Sequence, residues 1–337
     1  MDILLTLDYE LFLNDISGTV HNCLVKPISE LQEICDKYNI HYTVFVDAAY
    51  LYALNENRNH FKELDADYQA VCNNIRWIHS KGHEVELHIH PQWFFSEYHD
   101  GVWILDWAHY SLADVGSERA VYFFKEAKGL LDGVLREKTS IFRAGGYTLQ
   151  GFDYVRAFSE CGIVADSSVL PGQKEITTTH RFDYSGVSKT PYQFTDDVCK
   201  SESEGCFTEI PISIAKKVFL LNYLSIKKRF MADGENVNWG DGGDNPIMGI
   251  TNKLKKRLAS FAFFKQPRAT IDYQSFFFLR PTYENSRKYG YMTIIGHPKN
   301  FSPSSLGYFD SFVKDCLEAG DRFITAKEYC ENLNKDK

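Results

Sequence analysis

The chain has 337 residues, 44% hydrophobic and 24% charged, which excludes a disordered chain and suits one large α/β barrel or two medium domains. A net charge of -8 argues against bulk nucleic-acid binding. No apolar run approaches the roughly 18 residues that a membrane span needs.

A first strand is predicted over 2–8, ending in Leu5-Thr6-Leu7-Asp8-Tyr9-Glu10. Residues i and i+2 of a strand face one side, so Asp8 and Glu10 project together. The chain enters this strand without a basic stretch and apolar core of an export signal, which points to a cytoplasmic protein. Eight cysteines without a Cys-x-x-Cys agree with reduced, mostly buried thiols, although Cys199 and Cys206 flank an acidic stretch at a spacing open to a bridge. Pro27 opens a helix with Ile28, Leu31, Ile34 and Cys35 on one face. A strand over 42–47 and a helix over 68–81 follow. The strand over 84–90 ends in Glu86-Leu87-His88-Ile89-His90-Pro91, where the same alternation aligns two imidazoles. Ser117 is read as the cap of a helix reaching about Arg136, with Val121, Phe124, Leu131 and Val134 as its apolar positions.

The strand over 140–144 runs into Phe142-Arg143-Ala144-Gly145-Gly146-Tyr147, and a helix over 150–161 leads to a strand over 162–166 that ends in Ala165-Asp166-Ser167-Ser168. Further strands are predicted at 206–212, 291–296 and 322–325, with a helix over 305–319. The strand over 291–296 delivers Ile295-Gly296-His297-Pro298. Strand then helix, repeated about seven times, predicts a parallel sheet that is closed or nearly closed. Such barrels carry their active sites at the C-terminal strand ends, where all of these polar residues fall.

Residues 213–270 break the rhythm. They hold 11 Lys and Arg against 4 Asp and Glu, a net of +7 on a chain otherwise at -15. Two basic-flanked apolar stretches, 216–229 and 253–265, surround a turn-rich loop, 238–246. This reads as a helical insertion on one barrel spanning 1–337. It either packs on the barrel with its lysines in water or makes peripheral contact with an anionic membrane.

Two carboxylates, two imidazoles and a third, distant imidazole are the parts of a metal-dependent hydrolase. Each has a blander reading. His88 and His90 are ordinary hydrogen-bonded histidines unless a carboxylate joins them. Either Asp8 or Glu10 alone is a turn cap, Arg143 a solvated residue before a glycine turn, Asp166 a cap at Ser167, and His297 a structural histidine. Their common placement favours the site: one carboxylate for a cation, the other as a base, and His297 as a general acid.

The order of Thr6-Leu7-Asp8, Gly82-His83-Glu84-Val85-Glu86-Leu87-His88, Phe142-Arg143-Ala144-Gly145-Gly146-Tyr147, Ala165-Asp166-Ser167-Ser168 and Ile295-Gly296-His297 resembles the five motifs of polysaccharide deacetylases, the NodB-homology carbohydrate esterases. Thr208-Glu209-Ile210-Pro211-Ile212 is similar to the strand before the last motifs. The resemblance implies a distorted (β/α)7-8 barrel and one divalent ion, zinc first, with cobalt, manganese or iron as substitutes. It implies hydrolysis of an N-acyl group on a sugar and, by family analogy, a role in making surface polysaccharide. The lack of an export signal favours a nucleotide- or lipid-linked sugar. Under it, Asp8 is the base, Glu10, His88 and His90 hold the metal, and Arg143 orients the base. Tyr147 offers a backbone N–H to the oxyanion, Asp166 is the supporting acid, and His297 protonates the leaving amine. The family's second metal histidine falls four residues after the first, where this chain has Gln92, so His90 is taken in its place. Removal of a formyl group and an inactive sugar-binding barrel are the competing readings.

Overall fold

A computed structural model describes residues 1–215, 234, 237–243, 268–273 and 275–335. The two basic-flanked stretches, and with them the expected insertion helices and membrane contact, lie outside the described residues.

Nine strands form one curled sheet, in the order β10-β11-β7-β6-β3-β2-β1-β12, with β13 also paired to β1. The strands of the parallel part are β1 (Asp2–Tyr9), β2 (Thr43–Asp47), β3 (Glu84–Ile89), β6 (Ile141–Ala144), β7 (Ala165–Asp166), β11 (Phe207–Glu209), β12 (Tyr291–Gly296) and β13 (Arg322–Phe323). Only β10 (Tyr192–Phe194) runs antiparallel, against β11. Two hairpins stand apart, β4–β5 (Glu97–His99 and Val102–Ile104) and β8–β9 (Lys174–Ile176 and Arg181–Asp183).

β1 is the axis of the molecule. It pairs with β12 from Asp2 to Leu7, and on its other edge with β13 at Asp2–Ile3 and with β2 from Thr6 to Tyr9. Being covered on both faces, it is apolar but for Thr6 from Ile3 up to the two carboxylates at its end, as buried parallel strands are. Regular pairing does not join β12 back to β10 among the described residues. The gap is filled by irregular backbone: Ser213 N–H donates to Thr293 O (3.1 Å), Ala269 N–H to Ser213 O (2.9 Å) and Ile295 N–H to Ala269 O (2.9 Å). The barrel is therefore distorted at one seam, and the insertion leaves and re-enters there, with Ile214 bridged to Arg268.

The helices pack outside. α1 (Lys26–Tyr38) buries Ile28, Leu31, Ile34 and Cys35, the stripe read from the sequence, and stops at Asn39 in the left-handed region. α2 (Ala48–Asn57) follows β2 directly, and α3 (Lys62–Ser80) crosses back to β3. After the short α4 (Leu112–Val115), α5 (Ser117–Leu135) buries Val121, Phe124, Leu131 and Val134. Its cap corrects the expectation: Gly116, at φ 84°, is the cap, and Ser117 is already helical. α6 (Tyr154–Cys161) starts at an Asp153 cap rather than at 150. α7 (Leu279–Ser286), α8 (Pro303–Glu318) and α9 (Ala326–Lys335) complete the wall. Among the described residues no helix is long and apolar enough to cross a membrane. Cys199 and Cys206 are free thiols, as are the other six cysteines.

Candidate metal centre and active site

The C-terminal ends of β1, β3, β6 and β12 converge on one buried polar cluster. At its centre is Glu10. Its Oε2 lies 2.5 Å from His90 Nε2 and 3.2 Å from His88 Nε2. Glu10, His88 and His90 are buried, and one ligand atom of each lies within 4.8 Å of the others. β3 sets the two imidazoles on one side by its alternation, and β1 brings the carboxylate across.

The trio fits a divalent cation by its chemistry. His88 Nδ1 sits 2.7 Å from the Arg143 carbonyl, a partner that only accepts, so Nδ1 carries a proton, and it is Nε2 that gives up its own proton to turn a lone pair toward the centre. The His88 imidazole is pushed up to about 9: burial pulls it down, but Asp8 and Glu10 outweigh that. The pocket thus favours a positive charge at this point, which a proton or a metal ion can supply. Two imidazoles and one carboxylate are three ligands, the number that leaves a hydrolytic metal an open position. Gln92, in the family's histidine position, is not among them. It lies fully buried in the turn Pro91–Phe95, its amide without a protein partner.

Asp8 stands beside the trio. Its Oδ1 accepts from Arg143 Nη1 at 2.7 Å, and its Oδ2 lies 3.7 Å from His297 Nε2. Burial raises its pKa, but Arg143, His88 and His297 together hold it below the usual carboxylate value. Arg143 is wholly buried. It also donates to Ser167 O (2.8 Å), Ser167 Oγ (2.9 Å) and Thr6 Oγ1 (3.0 Å), so all three of its nitrogens are hydrogen-bonded.

His297 has a partner that the sequence reading missed. Asp272 Oδ2 lies 2.8 Å from His297 Nδ1, and Asp272 Oδ1 accepts the His297 backbone N–H at 2.8 Å. Burial lowers the imidazole's pKa, yet Asp272, Asp8 and Glu10 leave it raised above 6.5. Asp166, read as the supporting acid of the fourth motif, has partners of its own. Asp166 accepts from Ser168 Oγ and Ser168 N (2.8 and 2.9 Å), while Ser168 Oγ accepts from Ala144 N (2.8 Å). Asp166 is therefore the scaffold behind the Arg143 strand, not the partner of His297.

That scaffold contains a second carboxyl. Glu209 is fully buried, and its Oε1 accepts from Val169 N at 3.0 Å. Burial and the adjacent Asp166 raise Glu209 well above the usual carboxylate range, because ionising both of two neighbouring buried carboxyls is disfavoured. A raised folded-state pKa contributes stability that is present at low pH and lost as the pH rises through it. Glu209→Gln keeps the acceptor for Val169 and never has to ionise. It is expected to raise the melting temperature at pH 8, with the gain over wild type shrinking toward pH 5; a gain that is equal at both pH values would show that the Glu209 pKa is not raised.

The 145–147 turn closes the site. Gly146 and Tyr147 both take left-handed φ, 60° and 62°, which is uncommon for tyrosine and fixes the direction of its backbone. A Cβ on Gly145 would lie 2.5 Å from Ile89 O and 2.7 Å from His90 Nδ1, so only glycine admits the close approach to His90. The Tyr147 ring lies under the Arg268 guanidinium at 4.8 Å, and Tyr184 OH donates to its carbonyl at 2.8 Å.

Two more buried groups escaped the sequence reading. Lys299 Nζ donates to Glu10 Oε1 at 2.9 Å and to the Leu11 carbonyl at 2.7 Å. Asp47 ends β2 and accepts the His90 N–H at 3.1 Å. Asp47 obeys the rule that singled out Asp8, a carboxylate closing an apolar strand, and was legible by it. Lys299, two residues past His297, had no such signal.

No family model matches the chain, and no curated protein matches it. Solved structures do. A candidate polysaccharide deacetylase from Mycobacterium smegmatis matches with a TM-score of 0.55 at 14% identity, over 99% of this chain and 90% of its own. One from Pseudomonas aeruginosa PAO1 matches with a TM-score of 0.51 at 13% identity, over 99% and 91%. The fold of this chain, a curled and mostly parallel α/β sheet, is thus that of the NodB-type polysaccharide deacetylases, whose ordered motifs its sequence resembles.

Proposed function

We propose that the protein is a metal-dependent hydrolase that removes an N-acyl group, acetyl in the first instance, from a sugar. The observation that carries this reading is the buried Glu10, His88 and His90 trio, with Asp8 and the His297–Asp272 pair on its open side. The deacetylase neighbours support the same chemistry by fold analogy.

When bound, a divalent ion lowers the pKa of water and polarises an acyl oxygen. The chain's own residues do the rest. Arg143 occupies Asp8 Oδ1 and leaves Oδ2 to take the proton of the attacking water. The Tyr147 turn presents backbone N–H toward the developing oxyanion. Asp272 holds His297 with its Nδ1–H engaged, so Nε2 faces the centre and returns a proton to the departing amine.

The direct test is metal analysis of the purified protein with a mass-spectrometric screen of N-acylated sugars, free, oligomeric, nucleotide-linked and lipid-linked, with and without chelator. Loss of an acyl mass that chelator blocks is expected; protein that takes up neither zinc, cobalt nor manganese would defeat the reading. Activity should also follow a broad bell against pH. Asp8 must be ionised and, against burial, is held below the usual carboxylate range by Arg143, whereas His297 must be protonated and, against burial, is held above the usual imidazole range by Asp272. The bell should therefore be wider on both sides than an unperturbed carboxylate and imidazole would give.

A further inference from the structure

Lys299 is a buried ammonium next to a proposed metal site, and that demands a reason. A cation there repels a metal ion, so on charge alone it weakens binding. Its geometry argues for the opposite effect. Glu10 has two equivalent oxygens and three rotatable bonds. Lys299 takes Oε1 at 2.9 Å, leaving Oε2 toward both imidazoles. The same ammonium grips the Leu11 carbonyl at 2.7 Å and lies 5.1 Å from the Phe12 ring centroid, so it ties down the backbone just past Glu10 as well.

Lys299 is itself held by residues 238–243, a described stretch of the insertion. Asn238 Nδ2 donates to the Lys299 carbonyl (2.9 Å), and Trp239 N–H donates to the Phe301 carbonyl (2.9 Å). Gly243 and Ile16 exchange two backbone hydrogen bonds, at 2.8 and 3.0 Å. Asp241 accepts from Thr19 N, Thr19 Oγ1 and Asn22 Nδ2, at 2.7, 2.8 and 2.8 Å. The strap leaves no room for side chains at two places. A Cβ on Gly240 would lie 2.3 Å from the Lys299 carbonyl, and one on Gly242 would lie 2.4 Å from the Phe12 ring.

We propose that Lys299 is a positioning residue of the metal centre, holding Glu10 as a one-oxygen ligand, and that the 238–243 strap assembles the centre by holding Lys299. The insertion, on this account, completes the site rather than only decorating the barrel. The inference rests on the metal-dependent reading above.

The sign of one measurement separates positioning from repulsion. Metal-stripped wild type, Lys299→Met, Lys299→Gln and Gly240→Ala are titrated with zinc in a calorimeter, and with cobalt followed by its visible absorption, which reports coordination. Melting curves of the stripped proteins check folding. Lys299→Met is expected to weaken zinc binding by about 10- to 100-fold and to alter the cobalt spectrum, as loss of a residue that orients a ligand does. Lys299→Gln, which still donates to Glu10 without a charge, should fall between it and wild type. Gly240→Ala, which touches no proposed ligand, should also weaken binding. Lys299→Met that binds zinc as tightly as wild type, or more tightly, overturns the positioning role; wild-type affinity in Gly240→Ala overturns the strap. Should Lys299→Met fail to fold, Lys299→Gln and Gly240→Ala decide in the same way. Wild type that binds neither ion brings down the metal reading itself, and this inference with it, a result distinct from bound metal that ignores Lys299.

Discussion

Asp8→Asn is expected to lower kcat/KM for an N-acylated sugar by about a hundredfold or more while the protein still takes up metal and melts cooperatively. The asparagine is isosteric, and its carbonyl can still accept from Arg143, which Asp8 Oδ1 does at 2.7 Å. What disappears is an oxygen able to take a proton, facing His297 across 3.7 Å. Glu10 cannot take over that duty, since Oε1 is occupied by Lys299 and Oε2 by the two imidazoles. The variant should therefore lose the acid limb of the pH profile along with its rate. Full activity in Asp8→Asn with metal bound would mean that Asp8 is not the base, and would turn attention to His297. Metal content measured on the same sample separates a lost base from a lost cation.

The site was legible in the sequence where a strand ended on a charged or imidazole side chain. Burial of both faces makes such a strand an apolar run, so its last residues stand out: Asp8 and Glu10 on β1, His88 and His90 on β3, His297 after β12. The same logic placed Arg143 and Asp166, but not the side chains that Asp166 meets. A buried carboxylate beside Ser168 and one beside His297 look alike in one dimension, and the true partner of His297 is 25 residues upstream at Asp272, just beyond an insertion that the strand count passed over. α2 was missed for a different reason. Ala48, Ala49, Tyr50, Leu51, Ala53 and Leu54 are all buried, so the segment has no polar face and no 3.6-residue stripe, and only Asp47 separates it from the apolar run of β2. The two hairpins were missed because three-residue strands hold too little alternation to read. Lys299 had the appearance of a surface lysine after a proline, and only the fold sets it against Glu10.

Arg143→Met should destabilise the protein by about 3–5 kcal/mol in chemical denaturation, because it leaves a buried carboxylate without its cation. The guanidinium is 0% exposed and is hydrogen-bonded to Asp8, Ser167 and Thr6, with its plane 4.1 Å from the Phe45 ring centroid. Methionine fills much of the stem's volume but pairs with none of these acceptors. Asp8 would then answer to burial, the largest influence on it, and its pKa would rise. The loss should accordingly be smaller at acid pH, where Asp8 is protonated, than at pH 8, where ionising it costs the folded state. The double variant Asp8→Asn, Arg143→Met tests this origin. With no charge left to orphan, it should be more stable than Arg143→Met alone, a non-additivity expected of partners in direct contact. Should the two losses simply add, the cost would lie in the hydrogen bonds to Ser167 and Thr6 instead, and Arg143 would be a brace for β6 before it is a partner for the base.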